Sequence, residues 1–131
     1  MGTKAQRPLS PHLTIWKWGP HMAASIAHRV TGVGLATVGT ALFTWWLAAI
    51  AAGPAAYAKF QEWMNWPPML VIPIGLTLAF FIHLCNGLRH FVMDMGAGYE
   101  LKVNKTGALI VLILPLFLTA ALWLFIFSRA I

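Results

Sequence analysis

Charge is scarce in this chain. Charged residues make up 9% of 131 positions, and three acids stand against nine Lys and Arg. A soluble domain carries roughly a quarter charged residues, so a soluble globular protein is excluded. Cysteine is scarcer still: Cys85 stands alone, which rules out an internal disulfide and a cysteine zinc site. It reads as a small side chain packed among apolar neighbours. No phosphate-cradling glycine loop and no nucleophilic triad is present. Nor is there an internal repeat, which argues against a transporter built from duplicated halves. The formal net charge of +6 comes without a basic face interleaved with aromatics, so nucleic acid is not an expected partner.

Apolar sequence fills the space. Hydrophobic residues are 60% of the chain, and three runs exceed the roughly 20 residues needed to cross a bilayer. The expected fold is an all-α integral membrane protein with three transmembrane helices, at about 22–52, 69–95 and 106–129, forming one domain over 1–131. Lys4, Arg7 and Lys17 precede the first helix, and Arg89, Lys102 and Lys105 bracket the loop after the second, whereas the first loop holds only Lys59 and Glu62. The positive-inside rule then puts the N-terminus and the second loop in the cytoplasm or mitochondrial matrix. The segment 7–20, with Trp16 and Trp18 beside Lys17, is expected at headgroup level. "YAKFQEWMNW" in the first loop spaces Phe60, Trp63 and Met64 as a short interfacial helix would. Pro73 and Pro115 are expected to kink their helices, which neighbouring helices compensate.

Two polar clusters interrupt the apolar runs, "SIAHRVTG" at 25–32 and "HLCNGLRHFVMDMG" at 83–96. A charge at the bilayer centre costs about 2.5–3.5 kcal/mol on insertion scales. Ser25, His28 and Arg29 are spaced to share one helix face. A hydroxyl, an imidazole and a guanidinium there suit a polar headgroup or a carboxylate; the plainer reading makes Arg29 a lipid-phosphate anchor. His83 sits about 16 Å from the helix end at Asp94, where an unpartnered imidazole costs about 1–3 kcal/mol. Iron ligation would satisfy it, with Gly87 one turn on leaving room for a flat macrocycle; the plainer reading is a hydrogen bond to a neighbouring helix. His90 lies about 10 Å along the axis from His83, too far for both to bind one iron. A second ligand then comes from His28 or from another chain, and Arg89 and His90 fall nearer the rim.

Together with "RPLSPHL" at 7–13, these clusters resemble the cytochrome b membrane-anchor subunit of succinate dehydrogenase, respiratory complex II. All three motifs stand in the family's order and cover about 90 residues; Trp16 stands where mitochondrial members often have Tyr. The resemblance implies three helices within a larger anchor bundle and haem b shared with a second hydrophobic anchor subunit. It implies His83 as axial ligand, with His28, Arg29 and His90 near a haem propionate or in the second shell. Ser25 and Arg29 would line a ubiquinone site fed by an iron–sulfur subunit, which draws electrons from a flavoprotein subunit. Positive charge at Arg29 would favour the anionic, half-reduced quinone.

Two alternatives stand beside this one: the anchor of a quinol:fumarate reductase running in reverse, and a haem-free structural or assembly membrane protein whose histidines tie helices together. The N-terminal segment has neither signal- nor transit-peptide character, so a bacterial inner membrane is expected, with the mitochondrial inner membrane as the other setting.

Overall fold

The computed structural model describes Ser10 and residues 12–130, and every regular element among them is helical. Helix α1 runs through Pro20–Ala51, interrupted by a π-helical turn at Leu35–Gly39. A short helix α2, Pro54–Asn65, and a 3-10 turn, Pro67–Leu70, lead into α3, Val71–Asp94. Helix α4 is Leu101–Ala130. Three segments are long and apolar enough to cross a membrane: Pro20–Ala51, Pro67–Asp94 and Leu101–Arg129.

Proline and glycine set the boundaries. Pro20, Pro54 and Pro67 each open a helical segment, where the fixed φ is an advantage and the missing N–H costs little. Gly53, at φ 100°, turns the chain between α1 and α2. Helix α3 ends in a Schellman motif: Ala97 N–H donates to Val92 O at 3.2 Å and Gly96 N–H to Met93 O at 2.8 Å. Gly96 takes the left-handed φ of 84° this closure needs.

Several expectations shift in detail. Arg7, Pro8, Leu9 and Pro11 of the first motif lie outside the described residues, so only part of the interfacial segment 7–20 is visible. There Trp16 and Trp18 meet edge to face, centroids 5.5 Å apart, and Pro20 already belongs to α1. Helix α4 starts at Leu101, ahead of the expected 106, because Lys102 and Lys105 stay exposed and long cationic stems can leave the apolar layer without ending a helix. Pro73 falls in the first turn of α3 and so begins that helix rather than interrupting it. Pro115 does lie inside α4, fully buried, and its carbonyl accepts the Thr119 hydroxyl at 2.7 Å.

The three long helices meet in the half of the bundle that holds the N-terminal part of α1. Ala24, Ala108 and Val111 form the buried seam there, with Cys85 and Leu112 packed against it. Small side chains let membrane helices approach closely, since packing rather than water drives their association. Beyond the π turn, Thr40–Ala51 leaves this seam and packs on α2, with Trp45 edge-on to Phe60 at 4.8 Å.

Candidate functional site

The tight half of the bundle gathers the histidines. His83 points from α3 into α1, where its Nδ1 lies 3.1 Å from the His28 carbonyl oxygen and 3.4 Å from Thr31 Oγ1. A carbonyl oxygen only accepts, so the proton belongs on Nδ1. That tautomer leaves the Nε2 lone pair free, and Nε2 has no hydrogen-bond partner among the described residues. The plainer sequence reading, a bond to a neighbouring helix, therefore accounts for one nitrogen of His83 and leaves the other available to a metal.

The ring is held on its other sides as well. The imidazoles of His28 and His83 stack with centroids 3.9 Å apart and 9° between planes. Gly32 closes the edge: a Cβ there would stand 2.9 Å from His83 Cε1, a distance at which the ring has to move. Gly87, the glycine singled out by spacing, lies instead beside His28, where a Cβ would meet Cε1 at an ordinary 3.9 Å. A contact between helices with no tolerance for a methyl group is invisible to spacing along one helix, so the role of Gly32 was not read from the sequence.

His28 reaches further along the cluster. Its ring lies 5.4 Å from that of His90, tilted by 49°. Its Nδ1 is buried without a partner among the described residues. Ser25 is half-buried, and Arg29, one turn further into α1, is exposed; neither makes a side-chain hydrogen bond among the described residues. Thus α1 turns His28 toward α3 and leaves Arg29 on the rim of the same broad face. His90 and Asp94 are both exposed and form no ion pair with each other.

One buried polar chain was missed by sequence reasoning. Asn86 is 1% exposed; its Nδ2 donates to Ala24 O over a long 3.5 Å. Arg89 reaches Asn86 Oδ1 at 3.5 Å and, more firmly, donates from Nη2 to Asn104 Oδ1 on α4 at 2.8 Å. The carboxamide of Asn86 in an apolar helix was the available signal, since such a group needs a partner. Arg89 thus reaches sideways to α4, and its Nε passes 3.5 Å from the position a Cβ on Gly107 would take.

No group of three or more His, Cys, Asp or Glu is placed to share a metal among the described residues. What the cluster can do is offer one imidazole nitrogen to a metal, with a second, unpartnered imidazole and a cationic rim close by. An open cleft of about 720 Å³ lined by Lys59, Glu62, Trp63 and Trp66 lies at the other end of the helices, where none of these groups reaches.

Comparison with known proteins gives the family. The family model of the succinate dehydrogenase/fumarate reductase transmembrane subunit matches residues 3–122. The chain is 40% identical to the succinate dehydrogenase cytochrome b556 subunit of Rickettsia bellii, over 90% of this chain and 91% of that one. It is 37% identical to the cytochrome b556 subunit of Paracoccus denitrificans, over 76% and 75%. Against the mitochondrial cytochrome b560 subunit of Mus musculus it is 34% identical, over 85% and 67%. The chain therefore belongs to the succinate dehydrogenase/fumarate reductase transmembrane subunit family, among the cytochrome b membrane anchors of succinate dehydrogenase.

Proposed function

We propose that this anchor holds haem b through Nε2 of His83 and forms part of a ubiquinone-reducing site through Ser25 and Arg29, in the inner membrane of a bacterium or mitochondrion. The observation that carries the reading is the 3.1 Å contact of His83 Nδ1 with the His28 carbonyl: the carbonyl only accepts, so the proton sits on Nδ1 and the neutral imidazole keeps its outer nitrogen free. Neutral imidazole is the form that binds iron, and a second-shell acceptor on the other nitrogen fixes its direction. The pocket edge at Gly32 and the exclusion of water by the seam fit a ligand that has to be rigid and dry.

A second histidine to hold the haem would come from a partner anchor subunit. Stacked rings present faces to one another, whereas trans ligands of one iron present nitrogens along a line. The parallel stack of His28 on His83 therefore disfavours His28 in that role. Its Nδ1 is enclosed within the chain, so His28 would approach a propionate through Nε2 instead, with His90 and Arg29 supplying further donors at the same rim. When bound, haem b supplies a one-electron store beside the quinone site.

Ser25 can donate its hydroxyl, and Arg29 its N–H groups, to a quinone carbonyl oxygen. Positive charge at Arg29 binds that oxygen more strongly as it gains electrons, which is how a fixed donor lowers the barrier to reduction. Electrons would arrive from an iron–sulfur subunit charged by the flavoprotein, docked on the cytoplasmic or matrix face where the N-terminus and the α3–α4 loop lie.

The deciding measurement is the reduced-minus-oxidised spectrum of the membrane complex, wild type beside His83→Ala. A b-type signal lost or strongly altered in the variant supports the assignment. An unchanged signal moves the ligand away from His83, and no b-type signal in the wild type leaves a haem-free anchor.

A further inference from the structure

We propose that Thr31 is a positioning residue for the haem ligand, acting through His83 Nδ1. The inference rests on His83 as the ligand and concerns what sets that ligand's direction and basicity. Nδ1 faces two oxygens from α1, the His28 carbonyl at 3.1 Å and Thr31 Oγ1 at 3.4 Å. A hydroxyl has one proton to give, and that of Thr31 goes to the Ala27 carbonyl at 2.7 Å, with the His28 carbonyl a secondary acceptor at 3.1 Å. A lone pair of Oγ1 is thereby turned toward Nδ1–H, and Thr31 acts as a second acceptor beside the carbonyl.

Local geometry makes this orientation rigid. Thr31 is buried, and its hydroxyl bond to the preceding turn fixes χ1. The residue after it is Gly32, which lets the His83 ring approach closely enough for both oxygens to reach one nitrogen. Three residues within five positions of α1 thus hold three parts of the ring. His28 covers a face, Gly32 borders Cε1, and Thr31 with the His28 carbonyl holds Nδ1–H.

Acceptors on Nδ1–H draw the proton away from the ring and raise the electron density at Nε2. A more basic ligand favours the higher charge state of iron, so second-shell hydrogen bonding is one of the levers on a haem potential. Removing the Thr31 oxygen while keeping the carbonyl should weaken this effect without removing the ligand.

The test compares Thr31→Val and Thr31→Ser with wild type and His83→Ala in membranes carrying the assembled complex, reading haem content, midpoint potential and the low-spin haem signal by electron paramagnetic resonance. Thr31→Val should keep its haem, shift the midpoint to more positive values and change the low-spin g values. Thr31→Ser, which keeps the oxygen, should restore both. An unshifted potential in Thr31→Val, or an equal shift in Thr31→Ser, overturns the proposal. If Thr31→Val does not assemble, Thr31→Ala replaces it, with the same readings deciding. Haem retained in His83→Ala with an unchanged spectrum sinks the ligand assignment itself, a different failure from an inert Thr31.

Discussion

The imidazoles of His28 and His83 lie parallel, with centroids 3.9 Å apart, while the backbone oxygen of His28 takes up Nδ1 of His83 at 3.1 Å. One residue thus contributes both a ring face and a carbonyl to the same neighbour. The stack blocks one side of His83, and the hydrogen bond fixes its direction.

Gly32 tests how tight that arrangement is. Gly32→Ala places a methyl group 2.9 Å from His83 Cε1, so the ring has to leave its acceptors. The b-type absorbance of the assembled complex should fall severalfold while the chain still inserts. Gly34→Ala is the contrast, since its Cβ meets nothing within 4 Å inside the chain. It should leave the spectrum unchanged, alanine being the better helix former by about 1 kcal/mol.

Arg29 distinguishes a quinone ligand from a lipid anchor. Arg29→Leu should abolish reduction of quinone by succinate while oxidation of succinate by an artificial acceptor at the soluble subunits persists. If both activities survive, the guanidinium serves the lipid surface alone.

Expressed alone, the chain should fail to bind stoichiometric six-coordinate haem. The stacked His28 cannot take the opposite axial position, and His90 packs against His28 rather than across from His83. Optical and paramagnetic spectra of the purified chain would check this. A full complement of bis-histidine haem would refute the two-chain ligation.

Asn104→Ala removes the firmest partner of Arg89, a 2.8 Å bond between α3 and α4. Hydrogen bonds to charged groups are worth about 1.5–3 kcal/mol, so the variant complex should lose its haem at a lower temperature. Lys102→Ala, two residues away and exposed, should leave the melting profile where it was.

The three spans were readable because lipid imposes a simple demand, an unbroken apolar length, and the runs around Leu42, Leu78 and Leu116 meet it. That His83 would need a partner was readable for a related reason, since a lone imidazole at depth cannot stay unsatisfied, and the His28 carbonyl meets one of its nitrogens. Its contacts were not. Whether His83 meets Gly32 or Gly87, and whether Arg89 turns to the rim or to Asn104, depends on helix rotation. One residue changes the facing by about 100°, and periodicity in uniformly apolar helices does not fix that angle. The early start of α4 escaped for another reason: Lys102 and Lys105 mark the edge of the lipid layer, and the helix continues past that edge.

The π turn at Leu35–Gly39 carries a geometric consequence. Thr40 N–H reaches back five residues to Leu35 O, and Thr37 Oγ1 donates to Val33 O at 2.8 Å, so the turn holds one residue more than an α-helix would. That extra residue resets the angular phase of everything after it by about 100°. The first half of α1 can thus aim His28 and Thr31 at α3 while the second half aims Trp45 at Phe60 of α2. Deleting a single residue within 35–39 would leave both halves helical and apolar, yet swing Trp45 a quarter-turn and more around the axis, away from its aromatic neighbour. The bulge works as a vernier between the two membrane faces, letting each end of one helix keep its own heading.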